Sequence, residues 1–198
     1  MNLQNLYDYI FHQQLDGGGL SMKTVGLLLG AALVGGHLLV WLRAADAMAI
    51  AKEFPRGRAW GIVLLAVCLV WTQFLVAFMD MGEFYTWRRT LMIILPVAFV
   101  LVVVFVPEFL AVRALGTLLL LVASPVLHSA FLQPQTSRLL LPILAYAWIV
   151  VGMFIVGMPY LMRDAITWLT EKPQRWNAAA LSGAAYGAVL FVVALLTY

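Results

Sequence analysis

Residues 91–132 read LMIILPVAFVLVVVFVPEFLAVRALGTLLLLVASPVLHSAFL. Two apolar runs, about 91–106 and 109–132, are separated only by the dipeptide Pro107-Glu108. Each is near the ~20 residues a helix needs to cross the ~30 Å hydrocarbon core of a bilayer, although the first is short. The alternation of apolar and polar residues that marks barrel strands is missing, and isolated strands cannot satisfy their backbone in lipid. The stretch predicts two consecutive spanning helices joined by a very short turn.

Four more runs of the same kind flank it, at about 22–42, 59–79, 139–162 and 178–198. The expected fold is all-α: a polytopic integral membrane six-helix bundle with an N-terminal amphipathic interfacial helix. Composition agrees. The chain is 64% hydrophobic and 11% charged, with mean hydropathy +0.97, against roughly 45–50% and ~25% in soluble domains. Six spans consume most of the 198 residues, so a ligand or partner has to meet the helices, the short loops or the N-terminal segment.

Residues 1–16 form the first expected unit, an interfacial or docking helix, and residues 17–198 the second, the six-span domain. The first unit does not read as a signal peptide, because no basic stretch precedes an apolar one. Leu3, Leu6, Tyr7, Ile10 and Phe11 recur at spacings of three and four, the apolar stripe of an amphipathic helix. Asn2, Asn5, Asp8, His12 and Asp16 lie off that stripe. Gly17-Gly18-Gly19 is expected to end the helix as a hinge. The segment lacks Lys and Arg, which suits a less anionic, non-cytoplasmic leaflet or a docking surface on another subunit.

Between the spans, 43–54 reads as an extension of the first helix up to Pro55 and Gly57. Likewise 163–176 reads as a helical extension followed by an interfacial turn at Pro173. Trp60, Trp87, Trp168 and Trp176 fall near span ends, as in an aromatic belt. With six spans, Arg43, Lys52, Arg56, Arg58, Arg113, Arg163, Lys172 and Arg175 share one side. Lys23, Arg88, Arg89 and Arg138 share the other. The imbalance places the first group in the cytoplasm and both termini on the non-cytoplasmic side. With the basic residues at span ends and no basic stripe interleaved with aromatics, nucleic acid is not an expected partner despite a pI of 9.2.

Two small-residue patterns report on assembly. Gly26 and Gly30 in the first span, and Ala179, Gly183 and Gly187 in the last, let helix backbones approach closely. The face they form serves either packing within the chain or contact with another subunit, and spacing does not separate the two. Ionisable residues at membrane depth are the default pointers to function, and the candidates are His37, Asp80, Arg113 and His128. Asp80, near Glu83, Arg88 and Arg89, suggests a solvated loop with local ion pairing. Arg113 is expected to snorkel and to pair with Glu108.

His37 and His128 raise the question of a haem held between helices, and their depth argues against it. They sit ~7 Å and ~11 Å past the middles of spans that run in opposite directions, at 1.5 Å per residue. One iron does not reach both. No cofactor is expected, and a haem with one of these histidines and another ligand is disfavoured. Cys68 is alone, which excludes an intrachain disulfide and a multi-cysteine metal site. Zinc-hydrolase, nucleophile-elbow and phosphate-loop motifs are missing, as is a buried carboxylate pair. Pro96, Pro125, Pro142 and Pro159 free backbone carbonyls that either line a cavity or are satisfied by neighbouring helices.

The expectation that follows is a non-catalytic membrane subunit or scaffold. It would contact membrane lipids and either other membrane-protein subunits or copies of itself. A small transporter or channel with a polar mid-membrane site is the alternative, and a haem-binding or lipid-acting enzyme is weaker.

Overall fold

The computed structural model describes residues 2–11 and 19–198, and among these every regular element is helical. In chain order they are α1 (Leu3–Phe11), α2 (Met22–Leu42), α3 (Ala44–Glu53), α4 (Arg58–Phe78) and α5 (Arg88–Phe105). There follow α6 (Leu110–Ser129), α7 (Leu140–Gly157), α8 (Tyr160–Glu171) and α9 (Pro173–Leu196). Six of them (α2, α4, α5, α6, α7 and α9) are long and apolar enough to cross a membrane, with mean hydropathy of 2.0 to 2.5. Short 3-10 turns at Gly82–Trp87 and Thr136–Leu139 lead into α5 and α7.

The six long helices alternate in direction. Their connections therefore gather at two ends of the bundle. At one end lie α1, the turn after α4, the 130–139 connection and the last residues. Here Leu20 N–H donates to Tyr9 O, and the Tyr198 hydroxyl donates to Ser137 O. At the other end α3 packs on α8, and the Arg163 guanidinium sits 6.0 Å from the Phe109 ring. We call these the α1 end and the α8 end.

Helix α6 is the hub, packed against α4 on one flank and α7 on the other. Helix α9 pairs with α2 along its length. That pair joins the hub through a core cluster in which Met22 and Val25 meet Val126, Leu141, Ala145 and Leu190. Helix α5 is outermost. It leans on α4 and buries none of its residues.

Local sequence explains where the helices start and stop. Ser21 caps α2, its Oγ accepting from Thr24 N–H at 3.1 Å, which satisfies an amide the first turn leaves open. Pro173 opens α9 at a position where its missing N–H is not needed. Within α5, Pro96 cannot donate to the carbonyl of Met92 one turn earlier. The Gln73 side chain of α4 supplies the donor instead, Nε2 to Met92 O at 2.9 Å.

Several boundaries differ from the sequence expectation. The first helix does not run on to Pro55, because the backbone breaks at Arg43 (φ −112, ψ 45) and α3 begins anew. The fifth span ends at Gly157 rather than 162. Pro159 cannot extend the helix, and Tyr160 opens a separate one. The sixth span, α9, begins at Pro173, so Pro173 is its first residue and not a turn before it. Trp176 is consequently a buried residue of α9, its Nε1–H donating to Val40 O at 3.3 Å. Trp60, Trp87 and Trp168 stay exposed.

The amphipathic segment packs on the chain's own bundle, with part of its apolar stripe against α4 and α6. Tyr7 and Phe11 are buried, with Tyr7 against Phe74 (ring centroids 6.1 Å) and Phe11 edge-on to His128 (6.2 Å). Broad aromatic faces bury much area per residue, so a helix this short gains enough contact to dock. His12, Asp16 and the hinge positions Gly17 and Gly18 lie outside the described residues.

Candidate functional site

Small residues set the closest helix contacts. A Cβ built on Gly30 would come within 2.8 Å of Phe191 N, and one on Gly26 within 2.7 Å of Ala194 Cβ. From α9, a Cβ on Gly187 would come within 2.7 Å of Leu33 Cβ, and one on Gly183 would overlap the His37 ring. Four of the five small residues singled out in the sequence thus lie in one interface, between α2 and α9. Ala179 does not, because it faces outward, and Ala180 and Ala184 occupy the buried stripe instead. A comparable contact joins α6 to α7, where a Cβ on Gly116 would lie 2.9 Å from Gly152 O, and one on Gly152 2.9 Å from Gly116 O. That pair lacks a repeated four-residue spacing, which is why the sequence did not display it.

The two histidines sit at opposite ends of the bundle. His37 is towards the α8 end, with Nδ1 2.8 Å from Leu33 O. A carbonyl only accepts, so Nδ1 is the donor of this bond. The ring lines a crevice of about 300 Å³ between α2 and α7, together with Leu33, Gly36, Val40 and Trp148. His128 is exposed at the α1 end against Phe11.

Arg113 and Asp80 depart from their expected ion pairs. Arg113 Nε is buried without a hydrogen-bond partner among the described residues. Phe109 adopts a left-handed conformation (φ 54) that starts α6 at Leu110, so Glu108 lies off the helix. The expected Glu108–Arg113 pair is not formed among the described residues. Asp80 closes a turn by accepting Gly82 N–H at 2.9 Å. Arg88 turns to the Met79 carbonyl at 2.5 Å and stacks 4.8 Å from the Tyr85 centroid. The carboxylate and guanidinium therefore each close a backbone feature instead of pairing with each other.

Polar groups that cross between the long helices end on backbone carbonyls. Gln73 reaches Met92, Trp176 reaches Val40, and the Tyr186 hydroxyl reaches Leu140 O at 2.6 Å. The Cys68 thiol, fully enclosed, points at Ala114 O at 3.5 Å. Thr72 and Thr117 bond back to carbonyls of their own helices. Such bonds tie helices together and converge on no common point. No group of three His, Cys, Asp or Glu side chains placed to hold a metal occurs among the described residues.

Comparison with protein-family models, with curated proteins and with solved structures finds no match for this chain.

Proposed function

We propose that the chain is a multi-pass integral membrane protein and a non-catalytic subunit or scaffold. Support comes from what its polar side chains do. Gln73, Trp176, Tyr186 and Cys68 are spent on carbonyls of adjacent helices, as expected of residues that fix a bundle's shape rather than act on a substrate. The basic imbalance between the two ends orients the α8 end to the cytoplasm and the α1 end outside. The glycine face of α2 and α9 is consumed within the chain, so contact with another chain falls to other surfaces. Helix α5, with none of its residues buried, offers one such surface.

Extraction of the full chain from its native membrane in mild detergent tests this. The expected result is a particle larger than one chain that dissociates when Val97 and Val104 are replaced by Trp. Replacing Val189 and Val192, similarly exposed on α9, should leave it whole. A monodisperse monomer from native membranes would overturn the proposal.

A second function is favoured by one observation, the crevice between α2 and α7 that His37 helps to line. A transporter built on it would lose solute flux in liposomes on His37→Ala. Flux that is absent, or unchanged by the substitution, removes it.

A further inference from the structure

Helix α8 links α7 to α9, and the contacts of its neighbours fix how it lies. The Tyr186 hydroxyl meets Leu140 O at 2.6 Å, which sets the register of α9 against α7. From that contact α7 rises about 26 Å to Gly157, and α9 runs about 20 Å back to Pro173, at 1.5 Å per residue. Helix α8 starts beside the end of α7, because Leu161 N–H closes a turn on Met158 O at 3.1 Å. It has 12 residues and is about 18 Å long. Only Lys172 separates it from α9, a link that spans ~7 Å at full stretch. Standing upright on α7, it would end about 24 Å beyond the start of α9, a gap Lys172 does not close. Folding straight back along α9 would carry the Asp164 and Glu171 carboxylates into hydrocarbon, a costly placement. The helix therefore drops only about 6 Å along its length and lies nearly parallel to the bilayer plane. Two contacts hold it at the level of the span ends. Trp176 reaches Val40 O in the last turn of α2, and the Arg163 guanidinium sits 6.0 Å from Phe109, just before α6.

The sequence of α8 divides into three strips at about 100° per residue. Met162, Ile166, Leu169 and Thr170 form the covered strip, with Ile166 buried and the others half-buried. Arg163, Asp164, Thr167 and Glu171 form an exposed polar strip. Leu161, Ala165 and Trp168 form an exposed apolar strip, in which Trp168 is 55% accessible. A flat helix with one polar and one apolar free strip fits the boundary between headgroups and acyl chains. Charge narrows the partner further. Arg163 pairs with Asp164 and Arg175 with Glu171, each at 2.8 Å, and Arg175 also stacks 4.4 Å from the Trp168 ring. Both arginines are engaged within the chain, so the contact is apolar rather than a basic patch for anionic headgroups.

We propose that α8 is a membrane-surface helix that seats Leu161, Ala165 and Trp168 in the headgroup–acyl boundary of the leaflet at the α8 end, without selecting anionic lipid. The proposal rests on the membrane-spanning part of the function above, not on the scaffold role.

Trp168 is its own reporter. The full chain is reconstituted in phosphatidylcholine vesicles whose acyl chains carry bromine either near the headgroup or near the chain ends. The Trp168 signal is the difference between the wild type and Trp168→Phe, and Trp148, midway along α7, is read in the same way through Trp148→Phe. Bromine near the headgroup should quench Trp168 more strongly than bromine near the chain ends, and Trp148 should show the reverse order. Replacing part of the phosphatidylcholine with phosphatidylglycerol, or adding salt, should leave the Trp168 order unchanged. Leu161→Asp should weaken Trp168 quenching, whereas Thr167→Asp, on the polar strip, should not.

A Trp168 signal that escapes both bromine positions while Trp148 is quenched would overturn the proposal, since α8 would then stand in water. So would a Trp168 order matching that of Trp148, or quenching that requires phosphatidylglycerol. Equal effects of Leu161→Asp and Thr167→Asp would also overturn it. If the chain did not span the bilayer, Trp148 would escape quenching as well, which separates that failure from failure of the surface helix.

Discussion

Replacing Gly30 with alanine adds one methyl group where α2 crosses α9, and its consequence can be worked from the contacts. The new Cβ would meet Phe191 N and Cβ at 2.8 Å, whereas carbon contacts settle at ~3.5–4.0 Å. The helices must separate locally by about 0.7–1.2 Å or strain, and overpacking of this kind costs about 1–3 kcal/mol. Alanine also favours the helix over glycine by up to ~1 kcal/mol, which hides part of the loss. Gly35→Ala is the internal reference. It lies in the same helix with nothing within 4 Å of its Cβ position, so it gains the helical term without the clash. The difference between the two variants isolates the packing cost, about 1–3 kcal/mol. Unfolding in mixed micelles by titration with dodecyl sulfate, followed by circular dichroism, reads it. Gly30→Ala should unfold at lower detergent fraction than Gly35→Ala. Equal midpoints would mean that α2 and α9 do not meet at Gly30.

Two other outcomes follow from named contacts. Gln73→Leu removes the donor that satisfies Met92 O and should cost about 0.6–1.7 kcal/mol, the range for hydrogen bonds between membrane helices. In a Pro96→Ala background the residue-96 amide can satisfy Met92 O itself, so the Gln73→Leu cost should shrink; an unchanged cost in that double-mutant cycle refutes the link. Docking of α1 should weaken in alkali: the folded Tyr7 pKa lies above the ordinary 10.0, so its contribution is complete below pH 10 and lost as pH rises through the folded value. Hydrogen exchange in α1 should accelerate above pH 10 in the wild type and less so in Tyr7→Phe, whereas identical profiles would place Tyr7 outside the contact.

Much of the helical framework was legible because transfer of long apolar runs dominates every competing local preference. The breaks inside it were harder. Arg43 carries no helix-breaking chemistry, and the five alanines after it favour continuation, so the interruption there had no signal. Pro159 did carry one, since a proline cannot donate to the preceding turn, but the apolar run through Met162 masked it. The Gln73–Met92 bond was readable in principle: Pro96 implies an orphaned carbonyl at Met92, and a lone amide in the preceding span is a fitting donor. Partners of glycine faces were not readable, because the same spacing serves contacts within a chain and between chains. The resting place of α1 was hidden for a related reason. A hydrophobic stripe shows that something will be covered, and Phe74 and His128 are named only by the fold.

The α2–α9 pairing also has a dimension in time. Gly30 and Gly187 stand roughly 150 residues apart, and at synthesis rates of about 5–20 residues per second the second follows the first by roughly eight to thirty seconds. Throughout that interval α2 is already made while the surface that fits its glycines does not yet exist. The bundle's tightest seam is therefore among its last to close, and until then α2 is open to any passing helix with a small-residue face. Whatever keeps that encounter from happening during insertion acts on the first span, well before the last one has left the ribosome.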